Sequence, residues 1–301
     1  MSVLRFRDTL ALICIAAAAC NPPAHGAARG RGAFIGVDDF GDTLRVPASP
    51  PMRVVSLNPT TTEIVFAIGA GARLVGRSHW DSWPDSARMV PDLGPAVSPN
   101  VETALAAKPD LVLLYASADD QPAAARFREA GVPVAAMRID RIEDFRRATR
   151  ELGALLGDSA RAATVVDSVD ATLARVRAAT QSLARPSVFF PTWENPIIAI
   201  GGGSFLNELI DIAGGRNIYA DLAAPSPTVT LEDVVRRDPD VLLVSAEGRD
   251  HILADPLWRS LRAVRERHIL VYDTTVVGRP SVTLGAAAAS LARLLHPGVL
   301  R

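Results

Sequence analysis

The stretch NVETALAAKPDLVLLY, residues 100–115, decides the fold class of this chain. Asn100 is a typical helix N-cap, and Glu102 lies in the first helical turn, where a carboxylate is favourable. Pro109 and Asp110 end that helix in a turn, and the apolar run LVLLY after them has the length of a buried strand. A helix that leads directly into a buried strand is typical of a parallel α/β sheet.

The same alternation extends through most of the chain. Further apolar runs of strand length are RVVSL, PVAAM, SVFF, DVLLVS and HILVY, and helical stretches separate them. The chain has 301 residues, whereas a single domain has roughly 100–200. We therefore expect an α/β protein of two lobes with mostly parallel sheets.

A sequence repeat indicates that the two lobes are related. The block TLEDVVRRDPDVLLV at 230–244 matches NVETALAAKPDLVLL at 100–114, and each has a glutamate, Glu232 or Glu102, seven residues before a Pro-Asp pair. Earlier in each half, TEIVFAIGAG at 62–71 corresponds to NELIDIAGG at 207–215, with Glu63 and Glu208 six residues before a glycine. Duplication explains two matched blocks in the same order, although short α/β motifs also converge.

The domain boundaries follow from breaks in these patterns. Residues 20–52, rich in Pro, Gly and Ala, are expected to form a tether and an N-terminal β-edge, with a hairpin around Gly41-Asp42. We assign residues 53–156 to the N-terminal lobe and residues 185–301 to the C-terminal lobe. Residues 157–184 between them are predicted to form one long connecting helix, which Asp158 or Ser159 would cap.

An apolar stripe supports this connecting helix. Its members recur at spacings of four, four and three residues and are Val165, Val169, Leu173 and Val176. At 1.5 Å per residue the helix is expected to span roughly 40 Å, which is more than packing over one small sheet requires. Such a helix suits a rigid strut between two lobes.

Residues 1–19 have the layout of a bacterial export signal, with Arg5 and Arg7 before an apolar run. The run is about eleven residues long, which is too short for a membrane span of roughly 20. The segment AAAC that ends at Cys20 resembles a lipoprotein processing site, so we expect Cys20 to become the acylated first residue. Ordinary cleavage near the AHG at 24–26 is the alternative.

Composition argues against several classes of function. The net charge of −1 gives no basic surface for nucleic acid. Both cysteines, Cys14 and Cys20, lie in the first twenty residues, so the folded body has no thiol for a nucleophile, a disulfide or a metal–sulfur centre. The five histidines are scattered, and no HExxH, Walker or GxSxG motif is present. We therefore expect no catalytic residue, no metal and no cofactor.

Two features are open to two interpretations. The run GGGSF at 201–205 suits either anion binding on backbone amides or a turn that enters a helix. His79, beside Trp80, suits either an axial ligand of a metal macrocycle or a solvated loop residue.

The aromatic residues indicate a binding cleft. Trp80 and Trp83 share the polar loop RSHWDSWPD, Trp193 lies in PTWENP directly after a strand, and Tyr115 closes the strand DLVLLY. Ligands of open parallel sheets bind outside the carboxyl ends of the strands, where these residues are expected. We predict that they face one another across a cleft between the lobes, and the alternative is that each covers its own lobe.

Glu102 and Glu232 occupy matching places two residues after the expected N-caps Asn100 and Thr230. Each carboxylate is explained by helix capping alone. A matched pair with one member in each lobe also suits docking to a two-fold symmetric partner, in which arginines would meet the carboxylates.

Taken together, these motifs resemble the cobalamin and ferric-siderophore substrate-binding proteins of bacterial ABC importers. The resemblance runs from about Arg53 to Leu295 and is carried by RVVSLNPTTTEIVFAIGAGARLVG, NVETALAAKPDLVLLY, FLNELIDIAGGRNIYAD, PTVTLEDVVRRDPDVLLV and DPLWRSLRAV. It implies two Rossmann-like α/β lobes with mostly parallel sheets, joined by one long helix. It also implies a periplasmic monomer that carries a small molecule without chemistry on it.

Within this group the sequence most resembles the cobalamin-binding members, so the expected cargo is a corrinoid. The resemblance places cleft aromatics at Trp80, Trp83 and Tyr115, and it assigns Glu102 and Glu232 to docking on an ABC permease dimer with its ATPase. We expect Trp193 to add a further aromatic face and Arg279, in the segment GRPSVTL, to add hydrogen-bond donors at the rim.

Two alternatives remain at this point. A ferric siderophore or haem is a possible cargo for the same architecture, with His79 as the local candidate for a haem ligand. A two-lobe chelatase-like metallo-enzyme has a fold of this type. The export signal and the scattered histidines argue against the enzyme.

Overall fold

The structure, a computed structural model, describes residues 32–300. The expected export signal at 1–19, the lipidated Cys20 and the first part of the tether lie outside the described residues. The described chain opens with a hairpin in which β1 (Phe34–Val37) pairs antiparallel with β2 (Thr43–Arg45). Gly41 has a φ of 93°, the left-handed conformation that glycine adopts without strain, so the hairpin turn lies where the sequence predicts it.

The N-terminal lobe is a four-stranded parallel sheet with helices on both faces. Its strands are β3 (Val54–Ser56), β4 (Leu74–Arg77), β5 (Leu111–Tyr115) and β6 (Val134–Met137), and its helices are α1 (Pro59–Ala67), α2 (Val101–Ala106), α3 (Gln121–Glu129) and α4 (Ile142–Leu155). The strand order is β4-β3-β5-β6, and all neighbours are parallel. Alternate residues of β5 belong to two separate hydrophobic clusters, because both faces of a parallel sheet are covered.

The connecting helix is α5 (Ser159–Thr180). Asp158 caps it by accepting a hydrogen bond from the Arg161 amide at 3.0 Å. The helix has 22 residues and is therefore about 33 Å long, which is shorter than expected. The predicted stripe is correct at Val169, Leu173 and Val176 but wrong at its first member. Val166 faces the core and is buried, whereas Val165 is only half-buried. Neither α5 nor any other helix between residues 32 and 300 has the length and the apolar character to cross a membrane.

The C-terminal lobe repeats the N-terminal one. The strands of its parallel sheet are β7 (Ser187–Phe189), β10 (Arg216–Asn217), β11 (Val241–Val244) and β12 (Ile269–Val271), and a hairpin of β8 (Pro191–Glu194) and β9 (Ile197–Ala199) follows β7. Its helices are α6 (Phe205–Ile212), α7 (Leu231–Arg237), α8 (Ala246–Ala254), α9 (Arg262–Arg265), α10 (Thr274–Val277) and α11 (Leu284–Leu295). The parallel sheet has the order β10-β7-β11-β12. Apart from the inserted hairpin, the strand order matches that of the first sheet. In both sheets the second strand along the chain, β4 or β10, forms the edge next to the first strand, β3 or β7. The predicted fold class is confirmed, and the shared topology supports duplication.

One continuous hydrophobic core joins the lobes. Helix α5 packs against α4 of the N-terminal lobe and against α11 of the C-terminal lobe. A single cluster of buried side chains runs from Phe145 in α4 through Leu173 in α5 to Leu209 in α6 and Leu291 in α11. Moving the lobes far apart would expose this surface at about 25 cal/mol per Å² of apolar area. We therefore expect only small relative movements of the lobes.

Candidate functional site

The loop after β4 holds two tryptophans in solvent by burying the aspartate between them. The Asp81 carboxylate is buried and accepts hydrogen bonds from the hydroxyls of Thr62 and Ser78, both at 2.9 Å. Burial raises the pKa of Asp81 to about 6, although these hydrogen bonds oppose the shift. Trp80 and Trp83, on either side of this anchor, remain 51% and 41% exposed, so their indole rings are available for contact.

Tyr115 ends β5 at the carboxyl edge of the N-terminal sheet. Its hydroxyl donates to Asp140 Oδ1 at 2.7 Å, and the ring is half-buried. Burial raises the pKa of Tyr115, and the hydrogen bond to Asp140 raises it further. The side chain is therefore a neutral, fixed phenol.

A cavity of about 250 Å³ brings three of the expected site residues together. Trp80 and Tyr115 line it from the N-terminal lobe, and Arg279 lines it from the C-terminal lobe. Ile139 and Pro280 add apolar walls, and we refer to this space as the apolar cavity. The cavity lies between the lobes at the carboxyl end of β5, as the sequence predicts.

Asn58 lines the apolar cavity and has one unpaired donor, which is buried in the protein. Its Oδ1 accepts from the Thr60 amide at 3.0 Å and thereby caps α1. This bond fixes the orientation of the amide, and the buried Nδ2 has no hydrogen-bond partner in the protein. An unsatisfied buried donor is costly, and this one is covered by the protein rather than open to the cavity.

A second cavity of about 330 Å³ adjoins the first and is more polar. Trp83 and Arg88 line it from the N-terminal lobe, and Thr274, Thr275 and Arg279 line it from the C-terminal lobe. We refer to this space as the polar cavity. Arg279 lines both cavities, so they lie on either side of one side chain in the cleft.

Arg279 is held in this position by the opposite lobe. Its Nε donates to Oε1 of Glu63 at 2.7 Å, and Glu63, in α1, is only 2% exposed. Burial raises the pKa of Glu63, while the neighbouring Ser281 and Arg279 lower it. The pair leaves the terminal nitrogens of Arg279 free to face the cleft.

The repeat-related glutamate makes the reciprocal connection. Glu208, in α6 of the C-terminal lobe, accepts from Arg141 Nη2 at 2.8 Å and from the Ile142 amide at 2.8 Å. Both partners belong to the start of α4 in the N-terminal lobe. In each lobe, therefore, the glutamate of the matched block pairs with an arginine of the opposite lobe.

Two further residues lie outside both cavities. Trp193 is 58% exposed on β8 and donates its indole N–H to the Asn195 carbonyl at 2.9 Å. His79 is exposed, has its Nδ1 3.8 Å from an oxygen of Asp92, and makes an edge contact with the ring of Trp80. Neither side chain lines the apolar or the polar cavity.

Glu102 and Glu232 have equivalent positions in the two lobes. Each is the exposed second residue of its helix, α2 or α7, which leads into the third strand of the parallel sheet. Asn100 and Thr230 cap these helices through their own side chains. Among residues 32–300, neither glutamate forms an ion pair, so both carboxylates are available to a partner.

The glycine run at 201–203 belongs to a turn. The Gly202 amide donates to the Leu222 carbonyl at 2.7 Å, and the Gly201 amide donates to Pro225 at 3.1 Å. Because these donors are occupied, the structure favours the interpretation of the run as a turn that enters α6. Within residues 32–300, no group of three or more His, Cys, Asp or Glu side chains is arranged to hold a metal ion.

Sequence reasoning missed the polar lining of the cleft. Arg88 and Thr274 stand in none of the motifs quoted above, and the folded topology alone brings them to one cavity. Asn58 lies in a quoted motif, RVVSLNPTTTEIVFAIGAGARLVG, but the motif assigns it no role. The repeat singles out Glu63, because it occupies the same place in its block as Glu208. The repeat does not show that the partner of Glu63 is Arg279.

The family model and the similar proteins found by comparison all point to periplasmic binding proteins. A family of periplasmic binding proteins matches residues 54–276 of this chain. A vitamin B12-binding protein of Vibrio parahaemolyticus is 26% identical over 246 residues, which cover 80% of this chain and 88% of that protein.

Solved structures share the fold. The periplasmic vitamin B12-binding protein BtuF of Vibrio cholerae superposes with a TM-score of 0.71 at 24% identity, over 82% of this chain and 97% of that one. The periplasmic haem-binding protein RhuT from Roseiflexus sp. RS-1, in apo form, superposes with a TM-score of 0.73 at 27% identity, over 83% and 98%. Proteins with different cargo thus have this architecture.

Proposed function

The chain belongs to the periplasmic binding protein family, and we propose that it captures a corrinoid, such as cobalamin, between its two lobes and delivers it to an ABC importer. Members of this family are solute-binding proteins, which implies a periplasmic location and reversible binding of a small molecule. The apolar cavity, with Trp80 and Tyr115 on one lobe and Arg279 on the other, supports the ligand class most directly.

The chemistry of a corrinoid matches this lining. A corrinoid is a broad, largely apolar disc edged with amides, so its site needs flat apolar faces and a few placed polar groups. Trp80 and Tyr115 supply the faces. The terminal nitrogens of Arg279, which make no hydrogen bond to residues 32–300, are donors for the carbonyl oxygens of the amides.

Two more tryptophans complete the proposed site. Trp83 lines the adjoining polar cavity, where it contacts the edge of a ligand wider than the apolar cavity. Trp193 projects from the β8–β9 hairpin of the C-terminal lobe and lines neither cavity. We assign to it a more peripheral contact with the exposed part of the disc.

Haem is the second candidate, because the haem-binding RhuT has the same fold. Haem binding calls for a coordinating side chain. The hydroxyl of Tyr115 is already held by Asp140 at 2.7 Å, and His79 lies outside both cavities. These two observations favour a cargo that needs no ligand from the protein.

We propose no chemistry on the cargo. In the described site the hydrogen bond from Tyr115 to Asp140 holds the phenol in place, and we assign it no catalytic role. The chelatase alternative would require turnover of a tetrapyrrole with a metal ion, and a turnover assay on the purified protein tests it.

Delivery is proposed to use Glu102 and Glu232. The two exposed carboxylates mark equivalent points of two related lobes, so they suit a permease dimer that presents the same arginine-rich surface twice. Capping does not require these side chains, because Asn100 and Thr230 already accept the hydrogen bonds of the helix starts.

Membrane attachment is proposed through Cys20, whose acylation would tether the lobes near the permease. A single acyl chain binds membranes only weakly, so stable attachment would need a second acyl chain on the same residue or another anchoring signal.

The proposed function is tested by incubating the purified protein separately with cyanocobalamin, haemin and a ferric siderophore, removing free ligand by gel filtration, and recording visible spectra. A retained corrinoid spectrum at one ligand per chain supports the proposal. Retention of haemin or the siderophore in its place, with no corrinoid retained, would assign a different cargo.

A further inference from the structure

The polar cavity has features that an apolar, amide-edged disc does not use. The N-terminal lobe contributes Ser82, Asp85 and Arg88, and the C-terminal lobe contributes Thr274, Thr275 and Arg279. The two guanidinium groups therefore approach one space from opposite sides of the cleft.

Most of the donors of these arginines have no partner. Arg88 donates a hydrogen bond only through its Nε, to the Ser82 carbonyl at 3.2 Å. Arg279 likewise donates only through its Nε, to Glu63. Within residues 32–300, the terminal nitrogens of both side chains make no hydrogen bond to the protein. Two planar forks with free N–H groups are the arrangement that binds phosphate or carboxylate groups through paired hydrogen bonds.

Glu63 pairs with Arg279 through Nε alone, and the other carboxylates nearby do not occupy the terminal N–H groups of either arginine. Asp273 is occupied, because it accepts from the Thr275 amide at 2.8 Å and from the Thr275 hydroxyl at 2.7 Å. Asp85 is the one carboxylate among the residues that line the cavity, and it forms no ion pair with Arg88 within 4.0 Å. The hydroxyls of Ser82 and Thr274 have no protein partner within the described chain and add neutral donors.

We infer that the polar cavity binds an acidic substituent, a phosphodiester or a carboxylate, of the same ligand whose apolar body occupies the neighbouring cavity. The inference rests on the proposed function, because it assigns both cavities to one molecule. Arg279 lines both spaces, so a ligand that touches it from the apolar side presents its substituents to Arg88. In a complete cobalamin the substituent is the phosphodiester of the nucleotide loop, and in haem it is a propionate.

The test compares ligands that have this acidic group with ligands that lack it. Calorimetric titrations use cyanocobalamin and dicyanocobinamide, which lacks the nucleotide loop, with haemin and haemin dimethyl ester as the carboxylate pair. The wild-type protein is expected to bind the acidic member of the relevant pair more tightly. Arg88→Ala is expected to weaken binding of that member about 10-fold or more, because a hydrogen bond to a charged group is lost, and to leave binding of the other member unchanged.

Two variants serve as controls for the charge argument. Arg126→Ala removes an exposed arginine of α3 that lines neither cavity, and no change is expected. Asp85→Asn removes the opposing carboxylate, so it is expected to tighten the acidic ligand. Folding of each variant is checked by circular dichroism.

The outcomes separate the inference from the proposed function. If Arg88→Ala weakens both members of a pair equally, or neither, the acidic subsite is wrong even where cobalamin binds. If cobalamin fails to bind but haemin shows the dependence on its free carboxylates and on Arg88, the subsite stands and the corrinoid assignment is wrong. Failure of all four ligands contradicts both.

Discussion

Arg279 of the C-terminal lobe donates a hydrogen bond of 2.7 Å to the buried carboxylate of Glu63 in the N-terminal lobe. Glu208 of the C-terminal lobe makes the reciprocal contact with Arg141 at the start of α4. The two glutamates occupy the same place in the two copies of the repeat. The cleft is therefore fixed by a symmetric pair of contacts between the lobes, and one of them orients a residue that lines the site.

Arg279→Ala is expected to lower the free energy of unfolding of the ligand-free protein by about 1–3 kcal/mol, because it leaves the buried Glu63 carboxylate without its partner. The loss is expected to be smaller at pH 5 than at pH 8. Burial raises the pKa of Glu63, and without Arg279 the pKa rises further, so protonation at low pH removes the unpaired charge. Urea unfolding at the two pH values measures this.

The double variant Glu63→Gln/Arg279→Ala provides the matching comparison. It is expected to recover part of the lost stability at pH 8, since no charge remains buried. A double variant that is less stable than Arg279→Ala at this pH would show that the pair is not the cause.

Asp81→Asn tests the buried anchor of the tryptophan loop. The pKa of Asp81 in the folded protein, about 6, exceeds its ordinary value of 3.8. The folded state therefore binds a proton more tightly than the unfolded state, and this contribution to stability is lost as the pH rises through 6. Between pH 5 and pH 7.5, the stability of Asp81→Asn relative to wild type is expected to rise by about 1 kcal/mol.

Asp119→Asn, which removes an exposed carboxylate, serves as the control for this comparison and should show no such trend. A flat difference between Asp81→Asn and wild type across this pH range would mean that Asp81 does not titrate there.

The fold was largely predictable because its signals are local. Strand β5 and helix α2 follow from one uninterrupted stretch around Pro109, and the repeat at 230–244 places the second copy. The buried side of α5 was less predictable. Val165 and Val166 are equally apolar, and only the packing of α4 and α11 decides which of them faces the core.

The site was predictable only in part, for a different physical reason. Aromatic residues in polar loops stand out in a sequence, and Trp80 and Tyr115 do line one cavity. The partnership of Arg279 with Glu63 joins residues 216 positions apart, so it has no local signature. Arg88 is one of many arginines in the chain, and only the folded cleft distinguishes it.

Reversing both exposed glutamates, Glu102→Arg with Glu232→Arg, is expected to abolish uptake while leaving ligand affinity unchanged. Loss of one partner from a desolvated charge pair costs about 2–5 kcal/mol, so each single reversal should have an intermediate effect. Uptake in cells and affinity in vitro are measured on the same variants.

Glu247→Arg is a closely matched control, because Glu247 is also the exposed second residue of a helix, α8, whose N-cap is another side chain. It should leave uptake normal. Normal uptake by the Glu102/Glu232 double variant would contradict their role in docking and leave only the favourable placement of a carboxylate in the first turn of each helix.

Cys20→Ser is expected to move the protein from the membrane fraction to the soluble periplasmic fraction and to leave ligand binding intact. Cell fractionation and mass spectrometry of the mature N-terminus measure this. A wild-type protein that is already soluble and has no acyl mass contradicts lipidation.

The assignment of a corrinoid to the tryptophan-lined cleft is tested most directly by titrating cyanocobalamin into wild type, Trp80→Ala, Trp193→Ala and His79→Ala, with binding followed by quenching of the remaining tryptophans. Loss of the Trp80 face in the apolar cavity is expected to weaken binding by about 1–3 kcal/mol, and Trp193→Ala is expected to weaken it as well. His79→Ala should change the affinity little, because His79 lines neither cavity. Loss of binding in His79→Ala, with little effect in Trp80→Ala, would contradict the corrinoid assignment and favour haem.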